Sequence, residues 1–553
     1  MEQIPSFNQY IEDSVIKFWD KDAFTDYKGA TLQYHDVARK IEKLHIMFEN
    51  SGVKRGDKIA LCGRNSSHWA VAFLATITYG AIAVPVQNEF TPEQIHNIVN
   101  HSESKLLFVG DVVCTQVNPD MMPALEGIVY LPDFSIVISR SEQLTFAREH
   151  LNEIFGKRYP KYFRKEHIHY YKEQSPEELA MINYTSGTTG FSKGVMLPYR
   201  ALWGNIDYVL KCLAPNVKPG SNLVSILPMA HMYGLAVEFL FGFINGCHLY
   251  FLNRMPSPSL IAEAFAEVKP RLIVAVPLVI EKIIRRKVLA EVQTNRMKLL
   301  LNMPVINKKI KQHIRDRIME AFGGNAFEII VGGAPLNQGI EEFLNSVGVP
   351  VTIGYGTTET APLITFANYD KYKIASCGPV VDHMEAKVVS PDPANVPGEL
   401  IARGMNVMLG YYKNEEATNA VLDKDGWFHT GDLATMAPSG HIYIKGRIKN
   451  MLLGANGQNV YPEEIEDKLN NMPLVGESII IQRDTKLVAL VHPEIEDKEA
   501  MDFDDDDIKG IMDENLKTLN NQLPPFCKIA AIEIQKEEFQ KTAKKSIKRY
   551  LYK

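Results

Sequence analysis

The sequence predicts an α/β fold: a large N-terminal domain of layered βα subdomains with a small β unit, followed by an α+β C-terminal domain. Apolar runs of strand length alternate with helix-length segments through most of the chain, which is typical of largely parallel sheets covered by helices. After Gly378 the pattern changes to short alternating strands separated by turns, and the chain after Gly446 is compact and mixed. A length of 553 residues also favours more than one domain.

The first predicted βα layer lies between residues 58 and 109. Residues 67–78 are predicted to form an amphipathic helix, and Thr91 followed by Pro92 has the chemistry of a helix N-cap, before a second helix that ends near Asn100. Predicted strands flank these helices and return later in the chain, at residues 58–62, 81–86, 105–109, 223–227, 271–276 and 327–331. Strands and helices therefore alternate along the N-terminal domain.

Short strands characterise residues 378–445. Turn dipeptides such as Asp425-Gly426 separate predicted strands at residues 386–389, 398–402, 427–430 and 441–445, a pattern that indicates a small antiparallel β unit. We predict a domain boundary at Lys449. Residues 1–449 then form the N-terminal domain, and residues 450–553 form a C-terminal domain of common size.

The composition is that of a globular protein with no nucleic-acid partner. Hydrophobic residues make up 46% and charged residues 23%. Lys and Arg number 60 against 66 Asp and Glu, a net charge of -6, whereas nucleic-acid binders usually carry a basic excess. The six cysteines are scattered singly, without the density of a disulfide scaffold or the paired spacing of a metal site. A cytoplasmic location is therefore expected.

Membrane contact is expected to be absent or peripheral. The acidic start of the chain lacks the basic and apolar regions of a secretory signal, and no apolar run is long enough to cross a bilayer. Residues 282–317 carry many Lys and Arg among apolar residues. The favoured interpretation is the solvated face of helices, and a peripheral contact with the inner face of a membrane is the alternative. The oligomeric state stays open.

Residues 185–194 (TSGTTGFSKG) follow a predicted strand and are rich in glycine and hydroxyl side chains. Glycine lets the backbone approach an anion closely, hydroxyls add donors, and one lysine supplies a compact positive charge. The segment is not a Walker A loop, because Lys193 is followed by glycine and not by Ser or Thr. An ordinary surface turn is the alternative. The order of residues favours a polyphosphate cradle made of Thr185, Ser186, Gly187, Thr188, Thr189, Gly190 and Lys193.

Further motifs follow this loop in order: GGAPL at 332–336, GYGTTET at 354–360, WFHTGD at 427–432, GRIKN at 446–450 and GQNVYPEEIE at 457–466. With the loop, they resemble the adenylate-forming family that includes acyl-CoA synthetases, firefly-type luciferases and the adenylation domains of peptide synthetases. The resemblance spans nearly the whole chain. It implies small-molecule substrates, namely a carboxylic acid, ATP with Mg²⁺, and coenzyme A, and a mobile C-terminal lid hinged at Lys449.

The resemblance also implies a role for each motif. Tyr355 packs on adenine, Thr358 contacts phosphate, and Glu359 holds Mg²⁺, so the last two are implied catalytic residues. A carboxylate with waters and phosphate oxygens is the usual way in which proteins hold Mg²⁺. The implied ATP site is completed by Gly333, Ala334, Pro335, Gly356, Asp432 at the ribose hydroxyls and Arg447 near the ribose, and Gly457 is placed on the coenzyme A side.

Residues 227–235 (LPMAHMYGL) resemble the segment that lines the acyl pocket of acyl-CoA synthetases. His231 is predicted to be a gate or wall residue, with a purely structural histidine as the alternative, and Gly332 and Gly354 belong to the same implied pocket. The predicted helix 236–244 carries only Glu238 as a charge, which favours an apolar tunnel or plain core. In the family, peptide-synthetase adenylation domains use an aspartate to hold the amino group of their substrate. This sequence has no aspartate in a matching context after Tyr233. A long-chain fatty acid is therefore the expected substrate, with an aryl acid, or a carrier-protein thiol as acceptor, as alternatives.

The C-terminus departs from the family pattern, in which a catalytic lysine directly precedes an isoleucine. Here Ser546 occupies that position before Ile547, and a neutral hydroxyl cannot supply a charge. Three explanations stay open: Lys545 or Lys544 substitutes, the first half-reaction is weak, or the protein binds nucleotide in a regulatory role without turnover. An active fatty-acid–CoA ligase with Lys545 as the catalytic lysine is the favoured prediction.

Overall fold

The computed structural model describes most of the chain, namely residues 4–185, 193–284, 304–453, 459–483, 486–494, 505–541 and 547–552. Part of the predicted site lies outside these ranges. This applies to the loop residues Ser186, Gly187, Thr188, Thr189 and Gly190, to Gly457, and to Lys544, Lys545 and Ser546.

Two large, mainly parallel sheets form the N-terminal part. The first has eight strands in the spatial order Gly410–Tyr411, Lys193–Pro198, Leu179–Thr185, Ile82–Val86, Lys58–Cys62, Ser104–Val109, Gly127–Tyr130 and Ile136–Ser139. The second has seven strands in the order Val351–Ile353, Glu328–Val331, Leu272–Ala275, Asn222–Ser225, His248–Phe251, Asp22–Asp26 and Thr31–Gln33. In the second sheet, every pairing except the last is parallel.

Helices cover these sheets. The predicted cap is present, since the Thr91 side chain accepts from the Gln94 backbone and the Gln94 side chain reaches back. The described α-helices are Phe7–Lys17, Tyr34–Asn50, Ser67–Tyr79, Pro92–Ser102, Asp111–Cys114, Glu142–Glu149, Leu151–Arg158, Tyr199–Leu213, Phe241–Ile244, Pro258–Val268, Pro277–Ile284, Pro304–Ala321, Gln338–Ser346, Glu415–Asn419, Pro462–Asn470 and Asp505–Gln522.

Two helices differ from the sequence prediction. Ser67–Tyr79 is not amphipathic in its surroundings, because it contacts both large sheets and residues on every side of it are buried. Its Phe73 ring packs 6.0 Å from the Phe239 ring. The helix predicted at 236–244 begins as a π-helix, Gly234–Leu240, and only Phe241–Ile244 is α-helical. Wider turns of this kind occur often at functional sites.

The small β unit is a four-stranded antiparallel sheet in the order Met384–Val389, Gly398–Gly404, Phe428–Met436 and Ile442–Arg447. Two short antiparallel pairs join Tyr355–Gly356 to Leu363–Thr365, and Leu452–Leu453 to Asn459–Val460.

The C-terminal part is α+β. Its three-stranded sheet has the order Val475–Arg483, Lys486–Pro493 and Ile529–Ile534. Its core clusters are separate from the continuous core that the two large sheets share. The predicted α/β class, with a large N-terminal and a smaller C-terminal domain, is confirmed. The boundary at Lys449 and the mobility of the lid stay predictions. Within the described ranges, no helix combines the length and apolar character needed to span a bilayer.

We predict that Glu328 makes stability depend on pH. Its side chain is fully buried, and burial raises its pKa from 4.5 to about 7, against an opposing hydrogen bond from Thr352. The folded protein therefore keeps a proton that the unfolded chain releases above pH 4.5, so stability is lost as the pH rises toward 7. The glutamine of Glu328→Gln stays neutral at every pH. Between pH 4.5 and pH 8, the free energy of unfolding of this variant should therefore rise by about 3 kcal/mol relative to that of the wild type.

Urea unfolding of the N-terminal domain over this pH range measures the effect. Glu416→Gln, at an exposed position, is the control and should follow the wild type. Parallel stability profiles for wild type and Glu328→Gln would contradict the prediction.

Candidate active site

A cleft of about 2580 Å³ runs between the N-terminal and C-terminal parts. In parallel sheets, the carboxyl ends of the strands are where ligands usually bind, and strands Glu328–Val331 and Val351–Ile353 end directly at this cleft. All predicted site residues within the described ranges line it: Thr185, Lys193, His231, Gly332, Gly333, Ala334, Pro335, Gly354, Tyr355, Gly356, Thr358, Glu359, Asp432, Arg447 and Lys449. Their functional roles stay predictions.

Glycines let the backbone turn tightly around the cleft. Gly333 has φ +84°, a conformation that side chains disfavour. A Cβ at Gly356 would lie 1.8 Å from the Pro362 carbonyl oxygen, and one at Gly332 would lie 3.0 Å from the Tyr233 ring. These positions therefore have no room for a larger residue unless their neighbours move.

Asp432 connects the motifs implied for adenine and ribose. Strand pairing places it opposite Arg447, whose Nε lies 3.2 Å from Asp432 Oδ1. The Tyr355 hydroxyl donates to Asp432 Oδ2 at 2.6 Å. Burial raises the pKa of Asp432, and Arg447 and Tyr355 oppose this shift by stabilising the charged form. The carboxylate is thus held in one orientation at the cleft, with lone pairs left for further donors.

Tyr411 is a cleft residue that the sequence analysis missed. Its hydroxyl donates to Glu359 Oε1 at 2.9 Å, and the Lys193 ammonium lies 4.7 Å from the centre of its ring. Burial, with the nearby Glu359 charge, raises the pKa of Tyr411 above its usual range, so the phenol stays a donor. Strand Gly410–Tyr411 is too short for a periodic pattern, so only its long-range pairing reveals it.

The wall predicted for the acyl chain is supported by a polar network behind it. Glu238 is buried, and its carboxyl accepts from the Ser225 hydroxyl at 3.0 Å and from the Leu227 backbone at 3.2 Å. Burial raises the pKa of Glu238 well above its usual range. Asn65 binds the same turn, accepting from the Met229 backbone at 2.9 Å. The side chains that face the cleft here are Met232, Tyr233, Val237, Val276, Leu363 and Phe366.

His231 lies at the edge of this wall, half-buried. The Tyr233 backbone donates to its Nδ1 at 3.3 Å, and the Tyr233 hydroxyl donates to the Ile330 carbonyl at 3.1 Å. A side-chain amide, Asn183, also donates to the Ala230 carbonyl at 2.9 Å. The segment predicted as acyl-pocket lining is therefore fixed from several directions.

The C-terminal part contributes a charged edge to the cleft. Lys541 pairs with Ile547 in an isolated antiparallel bridge, and its ammonium lies 2.7 Å from Glu477. Arg549 donates to the buried Glu466, which also accepts from the Ile480 backbone at 2.6 Å. Burial raises the pKa of Glu466 to about 7 against the effect of Arg549. The residues on both sides of 542–546 are thus anchored at the cleft.

Comparison with known proteins agrees with the resemblance. A family model described as AMP-binding enzyme matches residues 11–412, and one described as AMP-binding enzyme C-terminal domain matches residues 449–552. A long-chain-fatty-acid–CoA ligase of Escherichia coli O157:H7 is 30% identical over 507 residues, 86% of this chain and 82% of that protein. The human long-chain-fatty-acid–CoA ligase ACSBG2 is 24% identical, over 87% of this chain and 75% of its own.

Solved structures share the fold at lower identity. ATP-bound MatB from Rhodopseudomonas palustris is 23% identical with a TM-score of 0.76, covering 99% of this chain and 98% of that one. The anthranilate CoA ligase AuaEII in complex with anthranoyl-AMP is 18% identical with a TM-score of 0.79, covering 99% and 97%.

We predict that Asp432→Asn weakens ATP binding by roughly 10- to 100-fold, because hydrogen bonds to a charged acceptor contribute roughly 1.5–3 kcal/mol. Titration calorimetry with a non-hydrolysable ATP analogue measures the change. Asp425→Asn, on an exposed turn, is the matched control. Equal affinities for the two variants would remove Asp432 from the ATP site.

Proposed function

Because this chain belongs to the AMP-binding enzyme family, whose members form acyl-adenylates, we propose that it is a long-chain fatty-acid–CoA ligase. The acid and ATP give an acyl-adenylate and pyrophosphate, and the acyl group then passes to the thiol of coenzyme A, releasing AMP. The observation that carries the proposal is that one cleft brings the motifs predicted to bind the nucleotide beside an apolar wall.

In the first half-reaction, the substrate carboxylate attacks the α-phosphorus and pyrophosphate leaves. Negative charge develops on the α-phosphate oxygens and on the leaving group, so donors must be in place beforehand. Lys193 would meet the phosphates from the end of the predicted loop. Asp432, oriented by Tyr355 and Arg447, would hold the ribose and so fix the α-phosphorus relative to the acid.

The residues at Glu359 fit a magnesium ion. One carboxylate oxygen accepts from Tyr411, and among the described residues no side chain donates to the other oxygen. Among the described residues, no cluster of three or more His, Cys, Asp or Glu could hold a metal, so phosphate oxygens and water would supply most ligands, as is usual for Mg²⁺. When bound, the ion would neutralise charge on the departing pyrophosphate.

The wall of the cleft supports an unsubstituted fatty acid. Glu238 is the only charge of its helical segment, and its carboxyl is engaged with the Ser225–Leu227 turn. It is therefore not a recognition group for a substrate amine. The relatives named above as long-chain-fatty-acid–CoA ligases support the same substrate class. Aryl acids and a carrier-protein thiol are the alternatives.

The second half-reaction requires the thiol to reach the acyl-adenylate. A rotation of the C-terminal domain about Lys449 would move the edge that carries Lys541 and Arg549 away from the cleft. The side predicted to bind coenzyme A, which includes Gly457, would then face the cleft. One hinge would thus serve two reactions. The position of Ser546 favours one candidate of a different class, a regulatory nucleotide-binding protein without turnover.

The substrate assignment predicts that long-chain acids outperform acetate and amino acids in coenzyme A-dependent AMP release. Mass spectrometry of the products from mixed acids, ATP and coenzyme A tests it, with omission of coenzyme A as the control. Accumulated acyl-adenylate without thioester in the complete mixture would favour a carrier protein as acceptor. Tight ATP binding with no AMP from any acid would favour the regulatory candidate.

For the missing lysine, we expect Lys545→Ala to reduce fatty-acid-dependent pyrophosphate exchange by at least 10-fold, because charge at the α-phosphate is lost. Lys544→Ala tests the other candidate lysine and should retain the exchange rate, and Ser546→Lys should maintain or raise it. Unchanged exchange in Lys545→Ala would remove that residue from the mechanism.

A further inference from the structure

Tyr411 lies between two groups of opposite charge. Its hydroxyl donates to the Glu359 carboxylate at 2.9 Å, and the Lys193 ammonium lies over its ring, 4.7 Å from the ring centre. The tyrosine itself is only 6% exposed. Within the described part of the chain, Lys193 and Glu359 form no ion pair with each other.

Strand geometry explains this placement. Tyr411 is paired with Val195 in the antiparallel ladder, and Lys193 lies on the same face as Val195, two residues earlier. Lys193 and Tyr411 are therefore diagonal neighbours within reach of long side chains. Tyr412 points to the opposite face, where its hydroxyl donates to Glu103 at 3.1 Å.

We propose that Tyr411 is a positioning residue that keeps Lys193 and Glu359 apart and orients Glu359 toward Mg²⁺. This inference rests on the proposed function, in which Lys193 serves the phosphates and Glu359 serves the metal. A direct Lys193–Glu359 ion pair would neutralise both groups before ATP arrives. The Tyr411 ring instead offers the ammonium a weaker cation–π contact, which the phosphates can replace.

The hydroxyl and the ring have separable effects. The hydrogen bond to Oε1 fixes the carboxylate, and partners of this kind typically affect metal affinity by 10–100-fold. The ring supplies the steric separation. Tyr411→Phe removes only the first, and Tyr411→Leu removes both.

The backbone around Tyr411 is held independently of its side chain. Met408 donates to the Glu359 carbonyl at 2.8 Å, Leu409 to the Met196 carbonyl at 2.9 Å, and Tyr412 to the Gly194 carbonyl at 2.8 Å. The Tyr411 N–H donates to the Thr418 hydroxyl at 2.9 Å. Both variants should therefore fold, and Tyr411→Phe retains the packed ring in any case.

The test measures binding by the full chain, without turnover. Titration calorimetry in the presence of a metal chelator measures the affinity of the protein for metal-free ATP. Electron paramagnetic resonance measures the affinity of the protein–ATP complex for Mn²⁺. We expect Tyr411→Phe to weaken Mn²⁺ binding by about 10-fold, with metal-free ATP affinity unchanged. Tyr411→Leu should weaken both. Adding Glu359→Gln to Tyr411→Leu should restore metal-free ATP affinity, because the carboxylate that captures Lys193 is removed.

Tyr412→Phe is the matched control and should bind both ligands like the wild type. Wild-type Mn²⁺ affinity in Tyr411→Phe would overturn the orienting role. Unchanged ATP affinity in Tyr411→Leu, or failure of Glu359→Gln to restore it, would overturn the separating role. Those results leave the proposed function intact, whereas absence of ATP binding by the wild type overturns both.

Discussion

The parallel strands end at the cleft, and their hydrogen-bond ladder ends with them. This loss of backbone partners determines how the walls of the site are built. Backbone groups there lose their strand partners and must find others. Behind the wall predicted for the acyl chain, Glu238 and Asn65 supply those partners to the turn after Asn222–Ser225. Along the rest of the cleft, glycine-rich turns keep the backbone close to the space where a ligand would lie. One edge thus places a wall fixed by hydrogen bonds beside the glycine-rich turns that are predicted to bind the nucleotide.

The features that local chemistry determines could be predicted from the sequence. Parallel strands buried on both faces give short apolar runs, and the Thr91 cap follows from hydroxyl and proline preferences within one turn. The motifs at 332–336 and 354–360, which line the cleft, are also recognisable from the sequence because their order resembles a known family. Such signals need no knowledge of what lies opposite them in space.

The remaining features depend on distant partners. The helix Ser67–Tyr79 looks amphipathic alone, but contacts with both sheets bury every side of it. Tyr411 gains significance only when strand Gly410–Tyr411 pairs with Lys193–Pro198. Glu238, a lone charge in an apolar segment, proves to be a hydrogen-bond acceptor for a turn from a neighbouring strand. The spacing of residues in the sequence does not predict these contacts, because each joins residues that are distant along the chain and meet only in the folded structure.

The same long-range contacts limit the explanations for Ser546. Lys541 is held by Glu477 and by its bridge to Ile547, and Arg549 is held by the buried Glu466. A movement of Arg549 away from this contact would leave the buried Glu466 without its cation, a costly outcome for a buried carboxylate. These contacts oppose a shift of the flanking residues along the cleft. We therefore expect the substitute for the missing lysine to be Lys544 or Lys545 itself, without a change of register in the flanking residues.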